Sequence, residues 1–558
     1  MRKSLILFAA TLITGSLFAG GIVTNTNQSA AWVRQPARNA SVGIDAVYYN
    51  PAGLMKLENG FHFSLSNQTI FQTKDVENFY KGPSDAFGLN EGLYTGKISA
   101  PVFPTIQAAY KMDKLAFSFG FGPVGGGGGA TYKKGLPSFE MSQSDLVPLL
   151  ASQGAQGYRL DAYLKGSSVF YGFQGGVSYK INDWISVAAG LRYVAAKNTY
   201  LGHLKDIEVD MAGTWTRADA IMNGISAQLT GITTIPTQLQ PLTSNPATQG
   251  LTLTQLVGAG LVPAATKTSI EGALAAIGVP AANIPVMTVT QISGTVTAAS
   301  PTLIAQAAKY TATATLLGDQ EVDVEQTGSG ISPFFSVNLS PSEKLNIGIK
   351  YEMVTKMELT NKTAKDLLVG FTTVGEQITM FKDGAKTPSD MPAMLSIGID
   401  YKVASKVKLS LGSNYYFDKS ADYGHKLDLD LNSSTPSTFV KNKEIIDDNG
   451  WSLQAGLEVN LSEKLLVSGG YILANQGVNS KYQSDLTYFL GTHTFGVGGA
   501  YSVTDKIQIN LGAGYTIYID DEKMVDHMFA SPTPVNIPAR ETYAKKTMMF
   551  GVGVDFRF

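Results

Sequence analysis

From Met548 to the end the chain alternates: Met548, Phe550, Val552, Val554, Phe556 and Phe558 share one parity, and Met549, Gly551, Gly553, Asp555 and Arg557 the other. Successive side chains of a strand point to opposite faces, so this ribbon has one apolar and one mostly small or polar face. The same design recurs in six hairpins, each of two alternating strands around a short polar turn. They run Thr105 to Gly122, Val169 to Val194, Phe334 to Met353, Met394 to Tyr416, Trp451 to Leu473 and Phe495 to Ile519. The pattern is sharpest in the last two. Trp451, Leu453, Ala455, Leu457 and Val459 oppose Ser452, Gln454, Gly456, Glu458 and Asn460, and Ile507, Ile509, Leu511 and Ala513 oppose Gln508, Asn510 and Gly512.

An alternating strand over Phe61, Phe63 and Leu65 precedes the hairpins and Met548–Phe558 follows them, which brings the total to fourteen. Strands of about ten residues, apolar outside and polar inside, even in number, joined by short turns at one end and long loops at the other, make a transmembrane barrel. A soluble all-β protein would need a repeated apolar core between sheets. Here the second face carries Gly, Ser, Asn, Gln and charges. The expected fold is all-β: a 14-stranded antiparallel transmembrane β-barrel over residues 60–558, with long extracellular loops.

Composition agrees. Charged residues are 16% of the 558, Gly numbers 58, and the formal net charge is −2. A nucleic-acid partner is not expected, because a basic stripe is missing. Cysteine is absent, which removes thiolate metal sites and cysteine nucleophiles and suits an exported chain. Arg2 and Lys3, the apolar run Leu5 to Ile13, and Leu17-Phe18-Ala19 read as a signal peptide over residues 1–19. No later run of about eighteen apolar residues could form a spanning helix. A membrane protein of this kind crosses with a closed barrel, so the bacterial outer membrane is the expected location.

The longest connection, residues 198–330, is nearly uncharged between Ala220 and Gly318, where only Lys267, Glu271 and Lys309 carry charge. Ser269 to Ala276 and Pro301 to Lys309 read as short helices, with Ser269 and Ser300 as candidate caps. So apolar an insert either binds something greasy or packs on itself.

Ahead of strand one lie Ser29-Ala-Ala-Trp-Val-Arg34 and Asp45-Ala-Val-Tyr-Tyr-Asn-Pro-Ala-Gly53. With Asn50-Pro51-Ala52 in that place, in a fourteen-strand exported chain ending in Phe, the sequence resembles the FadL family of outer-membrane transporters of long-chain fatty acids and hydrocarbons. The likeness implies a hatch, residues 20–59, that plugs the lumen. It also implies capture at the outer loops, binding within, and lateral release into lipid through a gap at a kinked third strand. The partners it implies are hydrophobic small molecules, outer-membrane lipid and the barrel-assembly machinery engaging Phe558, with the barrel a monomer. Asn50, Pro51 and Ala52 are then the gating residues.

The third strand has its own reason to kink. Gly122-Pro123-Val124-Gly125-Gly126 opens a glycine run to Gly129, and neither Pro nor a Gly run holds a ladder in register. The alternative is that the strand ends at Phe121. On strand five Arg192 and Lys197 are candidate partners for a substrate carboxylate. Lys197 matches the family's basic segment, Ala195 stands where its Arg is expected, and the parity of Arg192 is lumenal while that of Lys197 is not. Either the strand bulges or Arg192 substitutes, and neutral hydrocarbons stay open.

Enzyme chemistry is not expected. His62, His203, His425, His493 and His527 are scattered, with neither a Gly-x-Ser-x-Gly elbow nor a His-Glu-x-x-His pair. No cofactor or metal is expected, since ligand spacing is missing and the glycine run lacks a Lys-Ser/Thr partner. The competing functions are a diffusion porin for small solutes and a surface-binding adhesin.

Overall fold

The computed structural model describes residues 22–81, 88–372, 375–424, 426–429, 437–439, 442–529 and 535–558; the expected signal peptide lies outside them. They form two compact units. One comprises the chain up to Leu149, Asp161–Leu204 and Gln320–Phe558, and the other Leu150–Leu160 with Lys205–Asp319.

The first unit is a closed antiparallel barrel. Its strands are β1 (Gly60–Phe79), β2 (Leu93–Met112), β3 (Leu115–Tyr132), β4 (Ala155–Lys180, in this unit from Asp161 on), β5 (Ile185–Met211, in this unit as far as Leu204), β6 (Gln320–Ser342) and an interrupted β7 (Leu345–Glu352, Glu358–Lys365). There follow β8 (Met394–Ala404), β9 (Val407–Tyr416), β10 (Trp451–Asn460), β11 (Leu465–Asn475), β12 (Thr492–Thr504), β13 (Ile507–Tyr518) and β14 (Ala539–Arg557). Closure comes from β14, which pairs with β1 from His62↔Arg557 to Phe79↔Arg540 without a register shift. The tight turns rest on short polar side chains: Asn182 Oδ1 accepts the Trp184 and Ile185 N–H groups at 3.0 and 2.8 Å. Ser462 Oγ does the same for the N–H of Leu465 at 3.1 Å.

Alternation places the apolar parity outward. Phe117, Phe119, Phe495, Leu511, Phe550 and Val552 are all about half exposed, whereas their neighbours Gln107, Ser178, Ser452, Asn510 and Thr547 are buried in the lumen. A monomer in water does not carry so continuous an apolar girdle; hydrocarbon stabilises it. Asp555 faces inward, accepting from Ser64 Oγ at 2.6 Å and Asn510 Nδ2 at 2.8 Å.

The strands are longer than about ten residues in the first half of the chain. β5 and β6 continue through 198–211 and 320–330, so the insert between them is 212–319 rather than 198–330. The outer ends of both strands carry polar residues on both faces, which hides the alternation there.

The second unit is helical. Its elements include α1 (Ala218–Thr233), α2 (Leu253–Gly258), α3 (Ala264–Ala276) and the 29-residue α4 (Val289–Leu317). Leu256, Leu274, Val289, Ile292 and Val296 are fully buried in its own core, so its apolar residues pack on one another. The helices expected near Ser269 and Ser300 exist, but neither serine is a cap: Ser269 lies inside α3, and Ser300 inside α4 donates to the Val296 carbonyl. α3 starts after Pro263 with no side-chain cap, whereas Thr252 caps α2 and Thr288 caps α4, in reciprocal capping boxes with Gln255 and Gln291. Arg217 ties the ends of this unit together, contacting Asp206, Asp219 and Asp319 at 3.2, 3.0 and 2.8 Å.

Candidate functional site

Residues 22–55 fill the lumen and are almost wholly buried. A short helix, Ala30–Arg34, is capped by Ser29 Oγ, which accepts from the Trp32 N–H at 3.0 Å. A second, Ala46–Tyr49, runs into a 3₁₀ turn over Pro51–Lys56. Room for this segment comes from lumenal glycines. A Cβ on Gly348 would stand 2.4 Å from the Asn39 carbonyl, on Gly398 2.4 Å from the Ala40 nitrogen, and on Gly496 2.4 Å from the Val33 carbonyl.

A cluster of five charged residues holds the plug to the wall. Glu458 on β10 accepts from Arg34 Nη1 at 2.6 Å and from Lys408 Nζ at 2.6 Å, and Arg38 Nη1 stands 3.4 Å from it. Arg38 also grips Asp45 through Nε and Nη2 at 2.8 and 3.0 Å. The geometry is a bidentate pair, the arrangement a guanidinium favours.

The Asn50-Pro51-Ala52 motif is bonded to three strands. Asn50 Nδ2 donates to Asn338 Oδ1 on β6 at 2.7 Å, and Ser336 Oγ donates to Asn50 Oδ1 at 3.2 Å. Ser178 on β4 donates to the Pro51 carbonyl and Ser186 on β5 to the Ala52 carbonyl, both at 2.7 Å. Asn50 itself is fully buried.

The glycine run of β3 does not end the strand. It stays paired with β4 to Tyr132, with irregularities between Pro123 and Gly125 and between Gly125 and Gly128. Its ladder with β2 stops after Ile106↔Phe121 and resumes only at Ile98↔Ala130. Between these rows the edge of β3 turns to the hatch instead. Asn25 N–H donates to the Val124 carbonyl at 2.8 Å, Gly126 N–H to the Val23 carbonyl at 3.1 Å, and Gln28 Nε2 to the Pro123 carbonyl at 2.7 Å. Gly126 has φ +89 and Gly128 φ +67, backbone that side chains resist. At Gly125 the need is space, because a Cβ would stand 2.6 Å from the Val23 carbonyl.

The hatch's first described residue is held elsewhere. The Ile22 N–H donates to Asp418, which also accepts from the Tyr423 hydroxyl at 2.5 Å and the Gly450 N–H at 2.9 Å. Burial pushes this loop carboxyl up from the usual 3.8 to about 6, and its hydrogen bonds offset only part of that. The folded state therefore holds the proton longer than the unfolded chain. The associated stabilisation, about 3 kcal/mol, is complete below 3.8 and lost as pH rises through about 6. Hydrogen exchange at the Gly450 amide, corrected for intrinsic rate, should show easier opening at pH 7 than at pH 4, and Asp418→Asn should flatten that difference.

The two strand-five cations are separated. β5 pairs with β6 without a bulge, so Arg192 and Lys197 stay on opposite faces. Arg192 is buried in the lumen, ion-paired with Glu352, bonded to Gln174 Oε1 through Nη2 at 2.6 Å, and stacked 4.8 Å from the Tyr48 ring centroid. Lys197 is half exposed on the outer face and pairs with Glu325 at 2.5 Å. Lys350, which the sequence reading did not single out, joins Arg192: its Nζ donates to the Tyr48 carbonyl at 2.8 Å and stands 3.2 Å from Glu352. Its lumenal parity on β7 was the available signal. His62 is buried, with Nε2 2.9 Å from the Glu58 carbonyl. Among the described residues no three His, Asp or Glu side chains gather as metal ligands.

No family model and no curated protein matches the sequence. Solved structures do match. A crystal structure of a Pseudomonas aeruginosa FadL homologue superposes with a TM-score of 0.55 at 12% identity, over 96% of this chain and 98% of that one. The Pseudomonas putida toluene transporter TodX matches with a TM-score of 0.46 at 13% identity, over 92% and 94%. The chain has the fold of the FadL homologue, a fourteen-stranded barrel closed around its own N-terminal segment.

Proposed function

We propose that this chain is a hatch-gated outer-membrane conduit for long-chain fatty acids or similarly apolar molecules, released sideways into lipid between β2 and β3. One observation carries the reading. The wall lacks its ladder between 99–105 and 122–129, and the hatch end bonds to the same stretch of β3. An apolar chain gains about 0.8 kcal/mol per CH₂ on leaving water, so a route that opens onto hydrocarbon avoids returning that energy. The apolar girdle outside and the filled lumen inside support a membrane-embedded barrel that is not an open porin. The hatch, fastened at Asn50, Pro51 and Ala52, is the element that must shift.

A staple across the gap tests the route. A Cβ on Gly122 would stand 3.6 Å from the Cβ of Thr105, within disulfide range, and the chain has no competing cysteine. Thr105→Cys/Gly122→Cys barrels should take up labelled fatty acid about tenfold more slowly when oxidised and recover on reduction. The same uptake in both redox states would overturn lateral release.

A further inference from the structure

Across four neighbouring strands one lumenal row reads Lys545, Lys74, Gly96, Tyr132, from β14 through β1 and β2 to β3. Two lysines directly opposite each other repel, and both are buried, Lys74 at 1% and Lys545 at 4% exposure. Lys545 Nζ donates to the Tyr488 carbonyl at 2.5 Å, whereas Lys74 Nζ has no hydrogen-bond partner among the described residues. The Tyr132 hydroxyl has none either. Gly96 brings it into the row: a Cβ there would stand 2.4 Å from Tyr132 Cζ, so the hydroxyl end of the ring lies over the glycine that pairs with Lys74.

Tyr488 organises the group. Its ring lies 4.8 Å from Lys74 Nζ and 4.3 Å from Lys545 Nζ, and its hydroxyl bonds toward the Asp75 and Ala544 carbonyls on the two strands. The ring face attracts both ammonium groups but cannot accept their hydrogen bonds in full. Asp485, whose charge reaches Lys74, is itself engaged, accepting from the Ser138 and Leu486 N–H groups at 2.9 and 2.8 Å. Buried ammonium groups are stable only when paired. Here the ring and carbonyl of Tyr488 and the charge of Asp485 compensate only in part, and a sheet that breaks its pairing rule so marks a place where something else supplies the missing partner.

We propose that the Lys74–Lys545–Tyr132 row is an anion-binding subsite that takes the carboxylate of an amphiphile. A carboxylate there would accept charge-assisted bonds from both ammonium groups and one from the phenol, and its alkyl chain would lie against Tyr488 and its aromatic neighbours. This deepens the conduit reading and takes over the head-group role that Arg192, already satisfied by Glu352 and Gln174, does not fill. A phosphate, free or on a lipid headgroup, offers the same chemistry.

Equilibrium binding to the full-length barrel in amphipol, with dodecanoate, dodecan-1-ol and inorganic phosphate as probes, tests the site separately from uptake. The wild type should bind dodecanoate about tenfold more tightly than the alcohol. Lys74→Met/Lys545→Met should erase that preference and leave alcohol binding unchanged, with folding checked by heat-modifiable migration. Should the double variant fail to fold, Tyr132→Phe should narrow the preference about threefold, and Lys74→Arg should keep it. Phosphate that competes with dodecanoate in the wild type, and not in the variant, assigns the site to phosphate-bearing ligands; absence of competition assigns it to carboxylates. Equal wild-type affinity for acid and alcohol without phosphate binding, or a preference that survives both substitutions, would overturn the subsite. Neither result bears on the stapled barrel, whose uptake reports lateral release alone.

Discussion

Replacing Glu458 with alanine is expected to turn a closed barrel into an ion-conducting one. Glu458 is the carboxylate shared by Arg34 and Lys408, with Arg38 at 3.4 Å, and its side chain is only 7% exposed. Removing one member of a buried ion cluster costs about 3–5 kcal/mol, because the remaining charges lose their compensation without regaining water. Two of the three cations belong to the hatch, so that cost falls on its seated position. Planar-bilayer recordings should show conductance steps in Glu458→Ala that the parent protein lacks, with Glu458→Gln intermediate. A variant as silent as the parent would mean that the plug does not depend on this cluster.

Gly398→Val should unseat the same segment by a different route. The new Cβ would stand 2.4 Å from the Ala40 nitrogen and 2.5 Å from the Asn39 carbonyl carbon, and this planar peptide bond of the hatch has no flexible end to yield. Overpacking of this sort costs about 1–3 kcal/mol, and the upper end is expected here. Arg34 and Arg38, now 4% and 8% exposed, become available to trypsin once the segment is displaced. Cleavage should be at least about tenfold faster than in the parent. Ile397→Val, one residue away on the outward face, should leave cleavage unchanged; equal rates for both variants would remove the steric argument.

Much of the barrel was legible because one face of each strand meets hydrocarbon. Period-two alternation therefore survives in Trp451–Asn460 and Ile507–Tyr518, and the hairpins expected from it are present. It fades where strands rise beyond the girdle and both faces turn polar, which is why β5 and β6 run on past the expected limits of the insert. The lumenal glycines were legible as a pattern but not as a cause. Gly348, Gly398 and Gly496 are small because hatch backbone hundreds of residues earlier in the chain occupies the space beside them. The β3 irregularity followed from Pro and Gly chemistry alone, while the bonds from Val23, Asn25 and Gln28 did not, since nothing local to those residues names a partner a hundred positions away.

The charged residues divide in the same way. Parity put Arg192 in the lumen, and the unbulged β5 leaves Lys197 outside with Glu325. Glu352 and Lys350 complete the Arg192 cluster from β7, a pairing set by register rather than by spacing. Capping of the helical insert is written locally in the chain: Thr252-x-x-Gln255 and Thr288-x-x-Gln291 are complete boxes, while Ser269 and Ser300 lie mid-helix.

The seating of the hatch also fixes an order of events. A Cβ on Gly553 would stand 3.0 Å from the Ala30 side chain, and one on Gly551 2.9 Å from that of Val33, so part of the plug's socket belongs to the last strand. Asp555 completes it from the same strand, through Ser64 and Asn510. A chain threaded across a membrane from its amino end delivers the plug first and β14 last. For that interval the plug has no finished socket, and its buried arginines are exposed to water and proteases. The segment that arrives first is then the last to find its place.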